Sequence, residues 1–281
     1  MARNRSEGGK YGKLSGHQNE DKIHHKVNEK DPTFRDSLGK QLDCKIISAI
    51  PRDGLKEKKV DGVLADKTTP KKDLEVNCSD GKTKRISIKK TFDSQVFEIT
   101  VDNFIKGYEH HFKEYIPINV KKGLTLFLGQ HPEIDIILDN LKLVITDKKI
   151  REYEIKKKRL TCMSLRELSP VIYKDLLDWF KVKIRNICDF SFATGLALSE
   201  TDWAEYLWYK NLVDEKLKFK TLDSIFEIKK LCEACIKDTD IKIVYGTKNG
   251  GTTIHLPFGS LQWHQGKMQF RHNFKKITKL F

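Results

Sequence analysis

The chain has no run of about 18 apolar residues, the length a bilayer-spanning helix requires. Its first residues, "MARNRSEGGKYGK", have no apolar core of the kind a secretory signal needs. Both absences argue against a membrane partner, and a cytoplasmic location is expected. Cysteine is sparse and unpatterned: Cys44, Cys78, Cys162, Cys188, Cys232 and Cys235 show no framework spacing, as expected of a reduced protein. "LCEACIKD" holds a lone CxxC with no second pair and no His at finger spacing. Its cysteines fall on the apolar side of a predicted helix, which argues against zinc. "GGKYGKL" lacks the Walker spacing and its Ser/Thr, so a P-loop is not expected. The pairs His24-His25 and His110-His111 stand in no H-N-H arrangement and read as helix-face residues, and no internal repeat is present.

What the chain has in excess is positive charge. Its 53 Lys and Arg outweigh 39 Asp and Glu, a formal net charge of +14 that suits a polyanion. With no membrane segment, that polyanion is expected to be nucleic acid. A hydrophobic content of 38% over 281 residues supports a real core in one large domain or two.

Residues 1 to 14, basic and rich in glycine, are expected to be mobile. "SGHQNEDKIHHKVNEK" reads as a helix with Ser15 or Asn19 near its cap and Ile23 and Val27 one turn apart, and "CKIISAI" reads as a strand. A polar loop follows over 51–72, with a short strand at "VDGVLA". "DSQVFEITVDNFIKGYEHHFKEY" has helical apolar spacing with Asp93 as a cap, "GLTLFLG" is a strand candidate, and "PEIDIILDNLKLVIT" fits helix or strand. "DKKIREYEIKKKR" reads as a linking or phosphate-facing basic segment. Residues 168–237 read as mostly helical, beginning at Ser169-Pro170. In that segment Trp179, Trp203 and Trp208 lie at helical spacing and read as core. The end changes to period two, an antiparallel meander from "IKIVYG" through "TTIHLPF" and "SLQWHQ" to "MQFRHNF". Two lobes joined near residue 155 are expected.

Within "PKKDLEVNCSDGKTKRISIKK" (70–90), apolar Leu74, Val76, Ile86 and Ile88 alternate with polar neighbours in two runs. A two-residue Asp80-Gly81 loop sets Leu74 against Ser87 and scatters the apolar set over both faces. A three-residue Ser79-Asp80-Gly81 loop, with Gly81 left-handed, pairs Cys78 with Lys82 and Asp73 with Ser87. The four apolar side chains then share one face. Asp73, Glu75, Ser87 and Lys89 gather on the other.

The order helix, strand, acid-bearing strand, hairpin into S-x-K, helix, strand resembles the PD-(D/E)xK nuclease superfamily, and specifically its Type II restriction endonucleases, over Glu20 to Gly129. The resemblance implies an α/β (α+β) fold: a restriction-endonuclease-like core with a mixed central sheet flanked by helices, over residues 1–155. A helical and β-meander DNA-recognition lobe would follow over residues 156–281. Asp73 would be the metal-binding acid, Lys89 the motif lysine, and Ser87 would stand at the motif's usual carboxylate position. Glu20 would be the extra acid of the first helix. Phosphodiester hydrolysis in this family implies Mg²⁺, which neutralises the phosphorane and activates water, with lysine steadying the developing charge. The sequence departs from the pattern in two places: Pro70 lies three residues before Asp73, and serine cannot act as an anionic ligand. A second carboxylate must come from elsewhere, with Glu75 ranked ahead of Glu98 and Asp102. Asp61 is a weaker rival of Asp73.

In "GSLQWHQGKMQFRHNF" a Gly266-Lys267 turn pairs Gln262 with Arg271 and His264 with Gln269. Leu261, Trp263, Met268 and Phe270 then face the core. Gln262, His264, Gln269 and Arg271 form an opposite face without an acid, suited to a major groove or to plain solvent exposure. The resulting expectation is a Mg²⁺-dependent, sequence-specific endonuclease of double-stranded DNA, acting as a homodimer beside a companion DNA methyltransferase. A structure-specific repair or phage nuclease and a non-catalytic nucleic-acid-binding regulator are the rivals.

Overall fold

The computed structural model describes residues 5–29, 32–51, 59–141, 145–213, 221–237, 244–246 and 250–281. Helices α1 (Arg5–Asn28) and α2 (Pro32–Leu42) precede strands β1 (Ile46–Pro51), β2 (Val60–Asp61), β3 (Lys67–Thr68), β4 (Leu74–Cys78), β5 (Thr83–Lys89) and β6 (Asp93–Ile99). The middle of the chain is helical: α3 (Val101–Phe112), α4 (Ile118–Phe127), α5 (Ile134–Leu141), α6 (Lys148–Lys157), α7 (Cys162–Leu168), α8 (Pro170–Val182) and α9 (Ile184–Asp189). Strands β7 (Tyr206–Lys210) and β8 (Asp223–Glu227) lead to α10 (Ile228–Lys237). Strands β9 (Val244–Tyr245), β10 (Thr253–Leu256), β11 (Gly259–His264) and β12 (Lys267–Asn273) and helix α11 (Phe274–Thr278) end the chain.

These elements form two compact units, Met1–Phe92 with Phe192–Leu231, and Asp93–Ser191 with Cys232–Phe281. The boundary expected near residue 155 falls inside α6, within the second unit. The reason is topological. Strands β5 and β7 pair in parallel, which requires a crossover rather than a hairpin, and the chain between Lys89 and Tyr206 supplies it. Most of the second unit is therefore an insertion in a strand crossover of the first.

The first unit is a mixed five-stranded sheet in the order β1-β4-β5-β7-β8, with only the β5–β7 pair parallel. This is the expected mixed central sheet. Helices α1 and α2 cover one face: Ile23 and Val27 from α1 and Leu38 and Leu42 from α2 pack with Ala49, Leu74, Val76, Ile86, Ile88 and Trp208. Each fully buried aliphatic side chain there contributes about 1.5–3 kcal/mol. Asn28 finishes the open edge of β1, its side-chain amide exchanging two 2.9 Å hydrogen bonds with the backbone of Ala49.

The second unit holds an antiparallel sheet, β6-β12-β11-β10-β9. Phe104 of α3 anchors an aromatic cluster, with ring centroids 5.3 Å from Phe190, 5.8 Å from Phe270 and 6.4 Å from Trp179. Helix α8 starts as the sequence suggests, with Pro170 in its first turn and the Ser169 hydroxyl accepting from the Ile172 N–H.

Several expectations fail for local reasons. Helix α1 begins at Arg5, inside the stretch expected to be mobile. Ser15 and Asn19 are therefore buried mid-helix residues rather than caps. The segment after Asp93 is strand β6 followed by a helix that the Thr100 hydroxyl caps through the Asn103 N–H, so Asp93 caps nothing. "GLTLFLG" belongs to helix α4, where Gly123 lets Ile172 and Leu176 approach closely. The basic stretch at 147–159 is helix α6, capped by Asp147. "WAEYLWYK" contains β7 rather than a helix, and Asp223–Glu227 is a strand ahead of α10. Trp179 and Trp208 are nonetheless buried. Of the expected strand "IKIVYG" only residues 244–246 are described, with Val244–Tyr245 as strand, and the turn after it lies largely outside the described residues. Cysteine also differs: Cys44 and Cys78 are joined, while Cys162, Cys188, Cys232 and Cys235 are free. Among the described residues no helix is long and apolar enough to cross a membrane.

Candidate active site

The β4–β5 hairpin has the register that alternation demands. Leu74 stands opposite Ile86 and Glu75 opposite Arg85. The Cys78 N–H donates to the Lys82 carbonyl at 2.8 Å, and the Asp73 N–H to the Ile86 carbonyl at 2.8 Å. The loop is the three-residue one, and Gly81 takes φ +80°, a left-handed conformation that costs glycine little. Leu74, Val76, Ile86 and Ile88 enter the core beneath α1 and α2. The opposite face collects the polar groups.

On that face Asp73, Ser87 and Lys89 form a continuous chain. The Asp73 Oδ2 accepts from the Ser87 hydroxyl at 3.0 Å and from the Ile88 N–H at 2.7 Å. The Lys89 ammonium donates to Ser87 Oγ at 2.9 Å and to the Ile88 carbonyl at 3.2 Å, and stands 3.9 Å from Asp73 Oδ2. Side-chain exposures of 12% for Asp73 and 15% for Lys89 mean that both are largely shielded from water. Ser87, at 4%, is the buried hinge between them. Ser87 thus acts as a linker, ordering both charged groups by one hydroxyl.

Lys71, on the approach to β4, is close enough to Lys89 and Asp73 to feel their charges, and was not singled out by sequence. Burial first, and then the positive charge of Lys89, push its ammonium well below the ordinary lysine value, while Asp73 pulls the other way. The Lys71 N–H donates to the Asp202 carbonyl at 2.9 Å, which ties the approach to β4 to the segment before β7.

The other expected site residues divide. Glu75 lies on the same strand face, and its carboxylate is ion-paired with Lys72. Glu20, on α1, meets His17 at 3.5 Å. Its helix neighbours Ser15 and Asn19 clip the strand ends: Ser15 bonds Lys90, and Asn19 bonds the Lys210 carbonyl at 2.9 Å and the Leu212 N–H at 2.6 Å. Among the described residues no three His, Cys, Asp or Glu side chains gather as a metal-holding group, so Asp73, Glu75 and Glu20 form no preassembled triad of acids. Asp61 is exposed and bound to Lys67 at 2.6 Å, away from the role of first acid. Asp102, on α3, pairs with Lys106 at 2.7 Å, and Glu98 serves the second unit's sheet.

The β11–β12 ribbon corrects the expected turn. The loop is Gln265-Gly266, both residues at positive φ, and Gln262 pairs with Gln269 and Ser260 with Arg271. A shift by two partners preserves parity, so Leu261, Met268 and Phe270 are buried as expected, whereas Trp263 is only partly buried, with the Lys157 ammonium 4.9 Å from its ring centre. The opposite face is not free of acids, because β6 lies beside β12 and supplies them. His264 meets Glu98 at 3.0 Å and Arg271 meets Asp93 at 2.9 Å. Gln269, itself buried, links Gln262 at 2.7 Å and Gln95 at 2.9 Å. The four residues expected to read DNA are engaged in this network.

No protein-family model matches the chain, and no curated protein matches it. Among solved structures, restriction endonuclease MspI in complex with its cognate DNA is similar at 16% identity. The match covers 87% of this chain and 78% of that one with a TM-score of 0.43.

Proposed function

We propose that the protein is a Mg²⁺-dependent endonuclease of restriction type that hydrolyses phosphodiester bonds of double-stranded DNA at the polar face of the β4–β5 hairpin. One observation carries the reading: Asp73, Ser87 and Lys89 meet within hydrogen-bonding and ion-pair distance on the polar side of a hairpin whose other side is core. The net charge of +14 suits a duplex as substrate.

The donor set fits a hard cation of modest demands. Mg²⁺ is commonly held by one or two carboxylates, with substrate phosphate and water completing the shell. Asp73 would hold it, joined by Glu75 once that carboxylate leaves Lys72. Bound there, the ion would supply charge neutralisation at phosphorus and a more acidic water. The chain's own residues do the rest. Lys89, kept in place by Ser87, sits where a compact cation can steady charge developing on a phosphate oxygen. The Ile88 N–H and the Ser87 hydroxyl orient the Asp73 carboxylate on its Oδ2 side. Cutting both strands of a symmetric site calls for two such hairpins, hence a homodimer, and a sequence-specific enzyme would need a companion methyltransferase to shield its host.

The test is incubation of supercoiled plasmid with purified protein, with and without Mg²⁺. Discrete fragments that require the ion are expected. Nicks or smears would favour a structure-specific nuclease. Salt-sensitive binding with no cutting would replace the reading with a non-catalytic regulator.

A further inference from the structure

We propose that the turn at residues 113–118, between α3 and α4, is an apolar wedge that enters a groove of a nucleic-acid duplex, with Tyr115 and Ile118 against bases and sugars and Lys113 on a flanking phosphate. The inference rests on the reading of a duplex as partner and adds to it a contact surface on the second unit.

Exposed apolar side chains are ordinary singly and informative in a group. Tyr115, Ile118 and Val182 are 89%, 78% and 73% exposed, the three most exposed large apolar side chains among the described residues. They come from two segments that one carboxylate joins. Glu114 accepts from the Tyr108 hydroxyl and from the Asn186 amide at 3.0 Å, and pairs with the Lys183 ammonium at 2.6 Å. Tyr115 follows Glu114 in the chain and Val182 precedes Lys183, so this contact gathers the exposed side chains on one region of the surface.

Internal ties hold the turn in place before any ligand arrives. Ile116 is buried and its N–H donates to Glu109 at 2.9 Å, while Lys121 pairs with the same carboxylate at 2.7 Å. Asn119, at the start of α4, donates to Asp175 of α8 at 2.8 Å. Pro117 fixes its own φ just ahead of α4. Little freedom is left to lose on docking, which is what a preformed contact surface requires.

Charge selects the partner. Glu109 and Glu114 are the only acids in residues 109–122, and both are engaged by the internal partners just named. The exposed charges of the two segments are Lys113, Lys122, Lys181 and Arg185, all cationic. A symmetric contact between two copies would set these cations against each other. A duplex instead offers phosphates at the rim of a groove and apolar base and sugar surface within it, the setting that isoleucine and proline wedges occupy.

The experiment compares wild type with a Tyr115→Ser, Ile118→Ser double variant and with Tyr115→Phe, measuring duplex affinity against salt without divalent ion. The double variant is expected to melt like wild type, because both side chains are exposed. It should lose duplex affinity by about 10- to 100-fold, the scale of an aromatic packed on a base. Its plot of log affinity against log salt should keep the wild-type slope, since neither side chain neutralises a phosphate. Tyr115→Phe should bind as wild type does, and Lys113→Ala should make the slope shallower by about 0.9. If wild type binds duplex and the double variant binds equally well at every salt, this inference alone falls. It falls likewise if, at unchanged duplex affinity, the double variant loses self-association or binding to vesicles of phosphatidylserine and phosphatidylcholine, which would assign the patch to a second copy or to a membrane. If wild type binds no duplex, the nuclease reading falls with it.

Discussion

The molecule contains two antiparallel ribbons that look alike in sequence and differ in what their polar faces do. Both alternate cleanly, both turn through left-handed residues, and both bury one side. On β4–β5 the residues of β7 aligned with Ser87 and Lys89 are Leu207 and Tyr209, so the acids Asp73 and Glu75 meet only the lysines of their own segment. On β11–β12 the neighbour β6 brings Asp93, Gln95 and Glu98 to the polar side and binds its cations and amides. Alternation within a ribbon decides which side chains share a face. Which of them remain available for chemistry is decided by the strand that pairs next.

The sharpest way to break this contrast is at Asp73. Asp73→Asn keeps the shape but removes the charge that draws Lys71, Lys89 and a cation together. Plasmid cleavage should fall by about 10²–10³-fold with little change in thermal stability. Retained cleavage would make the first ribbon as inert as the second.

Gln269→Ala probes the other side. The Gln269 amide bridges Gln262 and Gln95 while buried, so truncation strands both partners and should cost about 1–3 kcal/mol of stability, read by denaturant melts. An altered cut sequence at unchanged stability would instead make β11–β12 a reading head. Arg271→Ala should cost less, no more than about 1 kcal/mol, because its pair with Asp93 is half exposed.

Ser87→Ala tests the linker. Lys89 and Asp73 should remain on the face but lose their common anchor, lowering cleavage by about tenfold, the low end for one positioned group. The smallest effect is expected at Asp223. Burial raises its carboxyl, but hydrogen bonds from Lys210, Gln41 and Trp208 outweigh that and hold it below the usual carboxylate range. A carboxyl depressed on folding contributes stability above its unfolded value and loses it as pH falls through the folded one. Asp223→Asn should therefore flatten the acid limb of wild-type stability below about pH 4, by no more than about 1 kcal/mol.

The first ribbon was legible because its register depends on a single parity choice, and only one loop length puts Leu74, Val76, Ile86 and Ile88 together. The helix at Ile23 and Val27 and the start at Ser169-Pro170 were legible for similarly local reasons. Strand β7 was not. Pairing in parallel beside β5, it buries Leu207, Trp208 and Tyr209 in succession, so no period of two survives in "YLWYK". The unit boundary was hidden with it, since recognising the crossover depends on recognising β7. Strand β6 was masked by the helix that begins two residues after its end at Ile99.

The most direct measurement is turnover by Lys89→Ala beside wild type on the same plasmid with Mg²⁺, with duplex affinity measured in parallel. Abolished cutting at nearly unchanged affinity is the predicted result, because this ammonium sits beside Asp73 and contributes one charge among many to binding. Wild-type turnover by Lys89→Ala would contradict the assignment of hydrolysis to the β4–β5 face.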